Sequence, residues 1–576
     1  MISILSTNIT SPLGFTTQEN WNAVRSGTCA LKQEDGWRGL PGTISAGLFT
    51  PEQTAALMVE GCSRFTSLAI RSIGEALQHT DMDVRSPRTL LVLSTTKGDI
   101  ETLEQPGGTY LAPGEAARRI ADHFGFTSTP VVVCNACISG ATAQILAGRL
   151  IQAGDYDSAV VCGVDCLSEF TVAGFMSFKA LSPERCRPFD IERLGLNLGE
   201  AAATVILGRS AEADGTQGCT RPADGGTPAA LWKIASGFLD NDAYHLSAPS
   251  PAGEGVYRAI MGAMDGRSAE DLALVGVHGT ATMFNDQMES KAIEHAGLSG
   301  TPVSALKGYY GHTLGAAGVL EAVITMCALD EGIILPSMGF SEIGVSGRIS
   351  ISGSRRTTGR TTFLKILSGF GGCNAAMVYT KECVPMAAEP ARGPLRTLHS
   401  VRITPSSLEI DGERIPTENS GRELLTEIYK SRIGDWPKFY KMDLFTRLVF
   451  AAAELLAQKA GFPQDGTQRG IVLFNASSSI MSDRQHIATF TDKDNFYPSP
   501  SVFLYTLPNI VTGEIAIRQG CKGESTLLIL ERRDEALMER IAQAAFFQSG
   551  LETLITGWAD CSGEDCFEAD LRIVTI

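Results

Sequence analysis

Short apolar runs alternate along this chain with stretches of helical periodicity. Leu90-Leu91-Val92-Leu93, Val131-Val132-Val133 and Ala159-Val160-Val161-Cys162 are continuous apolar runs, which predicts strands buried on both faces. Between the last two, Ile145, Leu146, Leu150 and Ile151 fall on one helical face, so a helix is expected over 141–153. Strand, helix and strand with short connections predict a layered α/β fold. Two stretches break the pattern. Residues 209–228, rich in Gly, Asp, Thr and Pro, predict a surface loop, and residues 385–394 predict a linker.

Beyond the linker the pattern repeats. Arg64-Phe65-Thr66-Ser67-Leu68-Ala69 is echoed by Leu444-Phe445-Thr446-Arg447-Leu448-Val449, and Leu90–Leu93 by Ile471-Val472-Leu473-Phe474. Ile120-Ala121 before Gly125 matches Ile515-Ala516 before Gly520, and Val160-Val161-Cys162-Gly163 matches Leu554-Ile555-Thr556-Gly557. Four echoes in one order predict an internal duplication. The chain divides accordingly into 1–208, 209–384, a linker over 385–400 and a C-terminal unit over 401–576 that repeats the first.

Composition narrows the partners. Across 576 residues the chain is 44% hydrophobic and 19% charged, which is globular. Its 48 basic and 64 acidic residues give a net charge of −16, which excludes nucleic acid as the main partner. An acidic partner needs a local basic patch. Fourteen Cys are too few for a disulfide scaffold, and no pair of CxxC motifs stands at zinc spacing, so a reducing cytoplasmic setting without a metal site is expected. The N-terminus lacks a basic, then apolar, leader, and no run approaches ~18 apolar residues, so no membrane span is expected.

Three places carry candidate chemistry. Cys137, in Cys134-Asn135-Ala136-Cys137-Ile138-Ser139-Gly140, lies between a predicted strand and a predicted helix. The positive end of a helix lowers a thiol's pKa and favours the nucleophilic thiolate; a buried inert thiol is the alternative. His278 lies in Val277-His278-Gly279-Thr280-Ala281-Thr282, and His312 in Lys307-Gly308-Tyr309-Tyr310-Gly311-His312-Thr313-Leu314-Gly315-Ala316-Ala317-Gly318. The third place, Ser368-Gly369-Phe370-Gly371-Gly372-Cys373-Asn374, is a loop whose backbone can approach a ligand closely.

In this order the motifs resemble the β-ketoacyl-acyl carrier protein synthases, with Cys137, His278 and His312 as the Cys-His-His set of the decarboxylating, elongating branch. Ser11-Pro12-Leu13-Gly14, Arg187-Pro188-Phe189-Asp190 and Gly199-Glu200-Ala201-Ala202 are also similar to that family. The resemblance covers about residues 1–384. It implies a thiolase-type layered αβαβα fold, followed by a half-thiolase α/β domain. It implies decarboxylative condensation of malonyl-carrier protein with an acyl chain on Cys137, the substrates arriving on phosphopantetheine and no other cofactor being needed. It also implies that the backbone amides of Cys137 and Phe370 form an oxyanion hole, that Lys307 supports the site, that Thr280 and Thr282 bind pantetheine, and that Glu321 organises the surroundings. Phe370, beside Gly371, would be a gate. Ala281 and Cys373 depart from the family pattern. A primary fatty acid synthase condensing enzyme and a thiolase-like enzyme, for which Cys373 would be the second cysteine, remain alternatives.

The C-terminal unit resembles half a synthase. Aligning Gly163 with Gly557 sets Glu531 or Arg532 against Cys137, and neither is an acyl nucleophile. The unit resembles a chain-length factor, as in type II polyketide and aryl polyene systems, that replaces a dimer partner within one chain, although two chains pairing is the alternative. Phe503, Leu504, Tyr505, Leu507 and Ile510 are the candidates for the acyl tunnel end. Lys430, Arg432, Lys438 and Lys441, with Arg64 and Arg71 near the first copy, are the candidates for docking acidic acyl carrier protein.

Overall fold

The computed structural model describes residues 2–105, 108–209, 219–220, 229–382, 393–462 and 466–576. The first sheet contains β1 (Ile2–Thr10), β2 (Thr89–Ser94), β3 (Val131–Val133), β4 (Ser158–Asp165) and β5 (Ala201–Arg209), in the order β1-β5-β4-β2-β3. The apolar runs fit because both faces are covered. Leu91, Leu93, Val132 and Val160 pack outward with Phe65, Leu68 and Ile120 of α1 (Arg64–Leu77) and α2 (Pro113–Phe124). Leu90, Val92, Val131 and Val161 pack inward with Ile145 and Leu150 of α3 (Ser139–Gln152). The helix expected over 141–153 thus begins two residues earlier. After β4 comes α4 (Glu169–Ser177).

The second sheet contains β6 (Lys233–Asn241), β7 (Leu274–Gly276), β8 (Pro302–Ser304), β9 (Thr362–Gly369) and β10 (Cys373–Thr380), in the order β6-β10-β9-β7-β8. Residues of α5 (Glu254–Met264) and α6 (Met283–His295) share a core cluster with one face of it. α7 (Ala317–Asp330) crosses α3 between the two sheets. That crossing is close because it is made by glycines: a Cβ on Gly318 would lie 2.6 Å from Ala141 N. The layers run helix, sheet, helix, sheet, helix, as the thiolase-type expectation requires.

The third sheet repeats the first. Its central strands are β11 (Arg396–Thr404), β12 (Arg469–Asn475), β13 (Ser525–Ile529), β14 (Thr553–Gly563) and β15 (Cys566–Thr575), in the order β11-β15-β14-β12-β13, and the short strands Ser407–Ile410 and Glu413–Ile415 extend the edge beyond β11. Its helices include α8 (Leu444–Ala460), α9 (Ile480–Ala488), α10 (Pro500–Tyr505), α11 (Ile510–Gln519) and α12 (Glu535–Ala545). One boundary needs correction: β11 begins at Arg396, so the last five residues of the linker predicted over 385–400 are strand. They pair with β15, whose apolar alternation supplies a partner that a linker reading ignores. Residues 383–392, and most of 209–228, lie outside the described residues.

The duplicated units join edge to edge. β3 pairs antiparallel with β13, Val133 opposite Leu528 and Val132 opposite Ile529, which makes the first and third sheets continuous. Two buried ion pairs cross the junction, Lys97 Nζ to Asp483 Oδ1 at 2.6 Å and Arg149 Nη1 to Glu524 Oε2 at 2.5 Å. Removing one member of such a pair strands its partner's charge, at a cost of about 3–5 kcal/mol. Among the described residues no helix is long and apolar enough to cross a membrane.

Candidate active site

The turn between β3 and α3 holds Cys137. Ala136 adopts φ +47°, in the left-handed region that disfavours a side chain, so the nucleophile turn is strained. Ser139 Oγ donates to Ala136 O at 2.6 Å and accepts from Asn135 N–H at 2.8 Å, while Asn135 Nδ2 donates to Ser525 O of the second unit at 3.0 Å. His278 stands just past the end of β7. Its N–H and that of Gly279 donate to the Glu289 carboxyl of α6 at 2.7 and 2.8 Å. His312 lies in the loop before α7, its N–H donating to Asn197 O at 2.7 Å.

These three side chains converge. One heteroatom each of Cys137, His278 and His312 lies within 4.8 Å of the others, and the two rings stand nearly perpendicular with centroids 5.0 Å apart. The hydrogen bonds fix both tautomers. Leu314 N–H donates to His312 Nδ1 at 3.2 Å, and the Lys307 ammonium lies 3.2 Å from His278 Nδ1. Both Nδ1 atoms therefore accept, and both Nε2 atoms carry the hydrogen. The buried His312 Nε2 has no protein partner and is free to donate to a substrate. Such a trio also has the donor types of a metal site, but the ammonium beside His278 opposes a divalent cation there.

Burial, then the Lys307 charge, holds both imidazoles well below the ordinary histidine range, so they are neutral. Lys307 Nζ also bonds His278 O and Glu321 Oε1, each at 2.7 Å. Burial alone would raise Glu321; Lys307 and Lys365 outweigh it and keep the carboxylate ionised. The thiol reverses the expectation from its helix position. Burial pushes Cys137 up to about 12, Lys307 pulling the other way, so it rests as a thiol. Position along the chain gave the helix end but not the desolvation.

Lys365 of β9 was missed. It interrupts the apolar run Phe363-Leu364-Lys365-Ile366-Leu367, and a buried charge in such a strand is the signal that marks it. Cys373 is buried and its Sγ lies 3.3 Å from Phe370 O, and burial raises its pKa as it does that of Cys137.

A cavity of about 450 Å³ opens onto this trio. Thr280 and Thr282 line it, their hydroxyls 2.9 Å apart. Ala281 between them has φ +61°, which explains why the related pattern carries glycine there. Phe370 packs against Phe175 and Phe178, with centroids at 6.3 and 5.4 Å. Gly371, at φ +91°, turns the chain behind it, and Asn509 Nδ2 of the second unit donates to Phe370 O at 2.8 Å. A Cβ on Gly369 would lie 3.2 Å from Cys137 N, so the glycine loop brings its backbone against the nucleophile's amide.

Behind Cys137 and Phe370 lies a chamber of about 20 Å³, walled by Phe175, Lys97 and Leu314 and, from the second unit, Phe503 and Leu507. The Phe503 ring sits where Gly174 has no side chain, since a Cβ there would approach it to 2.2 Å. Leu504 and Ile510 cluster instead with Leu246 and Leu507, against Phe178 and Phe370. Tyr505 does not reach the chamber. It donates to Glu514 Oε1 at 2.9 Å and lines a separate cavity of about 260 Å³ within the second unit, because successive helical residues point different ways.

The basic candidates scatter. Lys430, Arg432, Lys438 and Lys441 are all exposed. Lys438 is near enough to His245, beside the cavity-lining segment Leu246–Pro249, for its charge to join burial in lowering that imidazole's pKa. Lys441 lines the second unit's cavity. Arg64 is no docking cation: it is largely buried and paired with Glu101 and Glu200. Arg71 donates to Leu57 O and Met58 O. Opposite the nucleophile turn, the loop leading to α12 carries Glu531, Arg532 and Arg533; Glu531 pairs with Arg118 at 3.3 Å and Arg533 with Asp570 at 2.6 Å.

Comparison with known proteins is consistent with this geometry. Residues 1–213 match the beta-ketoacyl synthase N-terminal domain, and residues 233–341 the beta-ketoacyl synthase C-terminal domain. The chain is 34% identical to 3-oxoacyl-[acyl-carrier-protein] synthase 2 of Rhizobium meliloti, over 43% of this chain and 59% of that protein. It is 27% identical to the Staphylococcus aureus protein of the same name, over 55% and 82%. Among solved structures, the Xenorhabdus doucetiae ketosynthase ApeO in complex with its chain length factor ApeC aligns at 25% identity and a TM-score of 0.55, over 66% of this chain and 97% of that one. The PfaC keto synthase-chain length factor shares the fold along 100% of this chain and 78% of that one, with a TM-score of 0.76 at 15% identity.

Proposed function

The chain belongs to the β-ketoacyl synthase family and is a 3-oxoacyl-[acyl-carrier-protein] synthase; from that premise we propose how its own residues perform the condensation. The Cys137 sulfur attacks the thioester carbonyl of an acyl chain carried on phosphopantetheine. The carrier's sulfur leaves, taking up the proton that Cys137 gives up, and the acyl group stays on Cys137. The resting thiol makes this transfer proton-coupled. The malonyl group on its carrier's pantetheine arm then enters the same cavity, where Thr280 and Thr282 stand along the pantetheine path.

The Nε2–H groups of His278 and His312 donate to the malonyl thioester carbonyl. As carbon dioxide leaves, the electron pair of the broken bond becomes an enolate, which the two donors stabilise without a buried charge of their own. The enolate carbon attacks the acyl-Cys137 carbonyl. Its oxygen takes the developing charge beside the amides of Cys137 and Phe370, and collapse expels the sulfur, which regains a proton. The product is a 3-oxoacyl chain two carbons longer. The observation that carries this reading is the convergence of one thiol and two Nε2–H donors at the base of one cavity.

The second unit acts as a built-in partner that limits chain length. Phe503 and Leu507 close the acyl chamber, and Asn509 anchors the Phe370 loop. Acidic acyl carrier protein docks at the face carrying Lys438. The ApeO–ApeC complex, and a type II polyketide ketosynthase in complex with its acyl-carrier protein, AntDE:AntF, support this reading by likeness. The pathway this implies is polyene or polyketide elongation on a carrier protein.

Incubation with acyl-carrier protein and malonyl-carrier protein, followed by mass spectrometry of the intact chain and of the products, tests it. An acyl adduct on Cys137 and a 3-oxoacyl product are expected. No acyl adduct on Cys137 and no carbon dioxide release from the malonyl substrate would remove the reading.

A further inference from the structure

Lys365 lies on β9, one strand from His278, and is 2% exposed. Its ammonium pairs with Glu321 Oε2 at 2.7 Å, while Lys307 takes Oε1 of the same carboxylate, also at 2.7 Å. Two lysines thus share one acid, and the three groups sum to a single positive charge. Lys365 also donates to Val277 O at 2.8 Å and approaches Gly276 O at 3.4 Å. Those two carbonyls immediately precede His278. Lys307 holds the next carbonyl, that of His278, at 2.7 Å. One side of His278's backbone is therefore pinned by two ammonium groups, and the other by Glu289, which accepts its N–H.

We infer that Lys365 is a positioning residue of the condensation: it fixes the end of β7 that carries His278 and turns Glu321 so that Lys307 points at His278 Nδ1. A Lys307 left alone with Glu321 would lose one of the two constraints on its carboxylate partner. Lys365 touches no reacting atom. It acts through Glu321 and through the peptide before His278, and so sets which nitrogen of His278 carries the hydrogen. The inference rests on the decarboxylating role of His278 proposed above.

The charged and titratable groups around the two imidazoles come from every neighbouring element. Lys307 comes from the helical turn before His312, Glu321 from α7, Glu289 from α6, Lys365 from β9 and Cys137 from the nucleophile turn. Asp165 at the end of β4 holds Gly315 N–H at 2.7 Å beneath the His312 loop. Among these, Lys307 and Lys365 are the cations, and both lower the His278 and His312 pKa values. Removing Lys365 therefore raises the imidazole pKa values and shifts the acid limb of decarboxylation to higher pH.

The test compares two half-reactions in the full-length protein. One is acylation of Cys137 by an acyl thioester; the other is carbon dioxide release from a malonyl thioester. Lys365→Met is expected to leave acylation within about threefold and to slow decarboxylation about ten- to a hundredfold, with the acid limb moved upward in pH. Should Lys365→Met fail to fold, Lys365→Gln, which keeps a donor and loses the charge, carries the same expectation. Unchanged decarboxylation, or a parallel loss of both half-reactions with the pH limb unmoved, would overturn the inference. A wild-type chain that is acylated but releases no carbon dioxide would instead remove the role given to His278.

Discussion

Two turns in this molecule occupy equivalent places and do different things. The turn from β3 into α3 carries Cys137, and the turn from β13 into α12 carries Glu531, Arg532 and Arg533. The scaffold beneath them is retained. Asp165 at the end of β4 accepts from Thr96 N–H at 3.0 Å, and its counterpart Asp560 on β14 accepts from Ser477 N–H at 2.7 Å. The helices differ. Every residue of α3 from Ser139 to Ile151 is buried, because α7 and the second sheet close over it. α12 buries only Leu537, Met538, Ile541, Ala542, Ala544 and Ala545; Glu535 at its start is exposed, Glu539 pairs with Arg572, and Arg540 lies over the Tyr156 ring of the first unit. Among the described residues no second sheet closes over α12, and α12 is correspondingly less buried than α3.

The sharpest way to break this contrast is at the two turns. Cys137→Ala is expected to lower condensation by more than about 10⁴-fold and to abolish the acyl adduct. Arg532→Ala, on the exposed opposite turn, leaves turnover within about twofold of wild type, the usual effect of a surface change. Steady-state rates on malonyl-carrier protein distinguish the two. A comparable loss in both variants would mean that the second turn shares the chemistry.

The pairing surface is tested by its buried charges. Lys97→Met leaves Asp483 buried without its cation and is expected to cost about 3–5 kcal/mol in denaturant unfolding. Lys97→Met combined with Asp483→Leu recovers most of that, whereas Arg88→Ala, which breaks the exposed pair with Asp157, leaves the unfolding midpoint close to that of the wild type. A double variant no more stable than Lys97→Met would show that the pair earns more than it costs.

The acyl chamber separates residues that adjoin in sequence. Phe503→Ala joins the 20 Å³ space to the Phe170, Phe490 and His486 cluster around it and should lengthen products by one or more two-carbon units. Tyr505→Ala, facing the other cavity, leaves product length unchanged. Product mass from a fixed primer reads both, and equal lengthening by the two variants would put the tunnel end elsewhere.

How far the sequence carried the reading can be seen at particular residues. The strands at 90–93, 131–133 and 159–162 were legible because burial on both faces leaves an unbroken apolar run. The duplication was legible because β11 to β15 repeat β1 to β5. Cys137, His278, His312 and Lys307 were legible from their motifs. What the motifs do not contain is what arrives from a distance. Lys365 acts from another strand, Asn509 reaches Phe370 across the junction, and the Cys137 thiol is raised by walls that fold over it. Tyr505 lines the other cavity, since adjacency in sequence does not decide which side of α10 a residue faces.

Stability against pH compares the histidines of the two units. His278 and His312 are held well below 6.5, first by burial, and His486 of α9 is pushed down to about 4, also first by burial. A depressed histidine stays neutral in the folded chain while its unfolded counterpart takes up a proton. The stability it contributes is therefore present above about 6.5 and lost as pH falls toward the folded value. His486→Phe should lose less stability, or gain more, than the wild type as pH falls from 7.5 to 4.5, without changing turnover at pH 7.5. An undiminished slope in His486→Phe would assign the whole acid loss to the catalytic pair and other groups.

The smallest effect is expected inside the catalytic loop itself. Ala281 holds φ +61° between the two cavity threonines, where a Cβ crowds the backbone by about 1 kcal/mol or more. Glycine removes that crowding but gains freedom in the unfolded chain, which offsets part of the gain. Ala281→Gly should therefore stabilise the fold by under about 1 kcal/mol, while the Thr280–Thr282 contact and the rate of acylation are kept. If the variant is instead less stable, the packed Ala281 methyl, which is fully buried, outweighs the strain, and the departure from glycine is a gain in core contact rather than a tolerated cost.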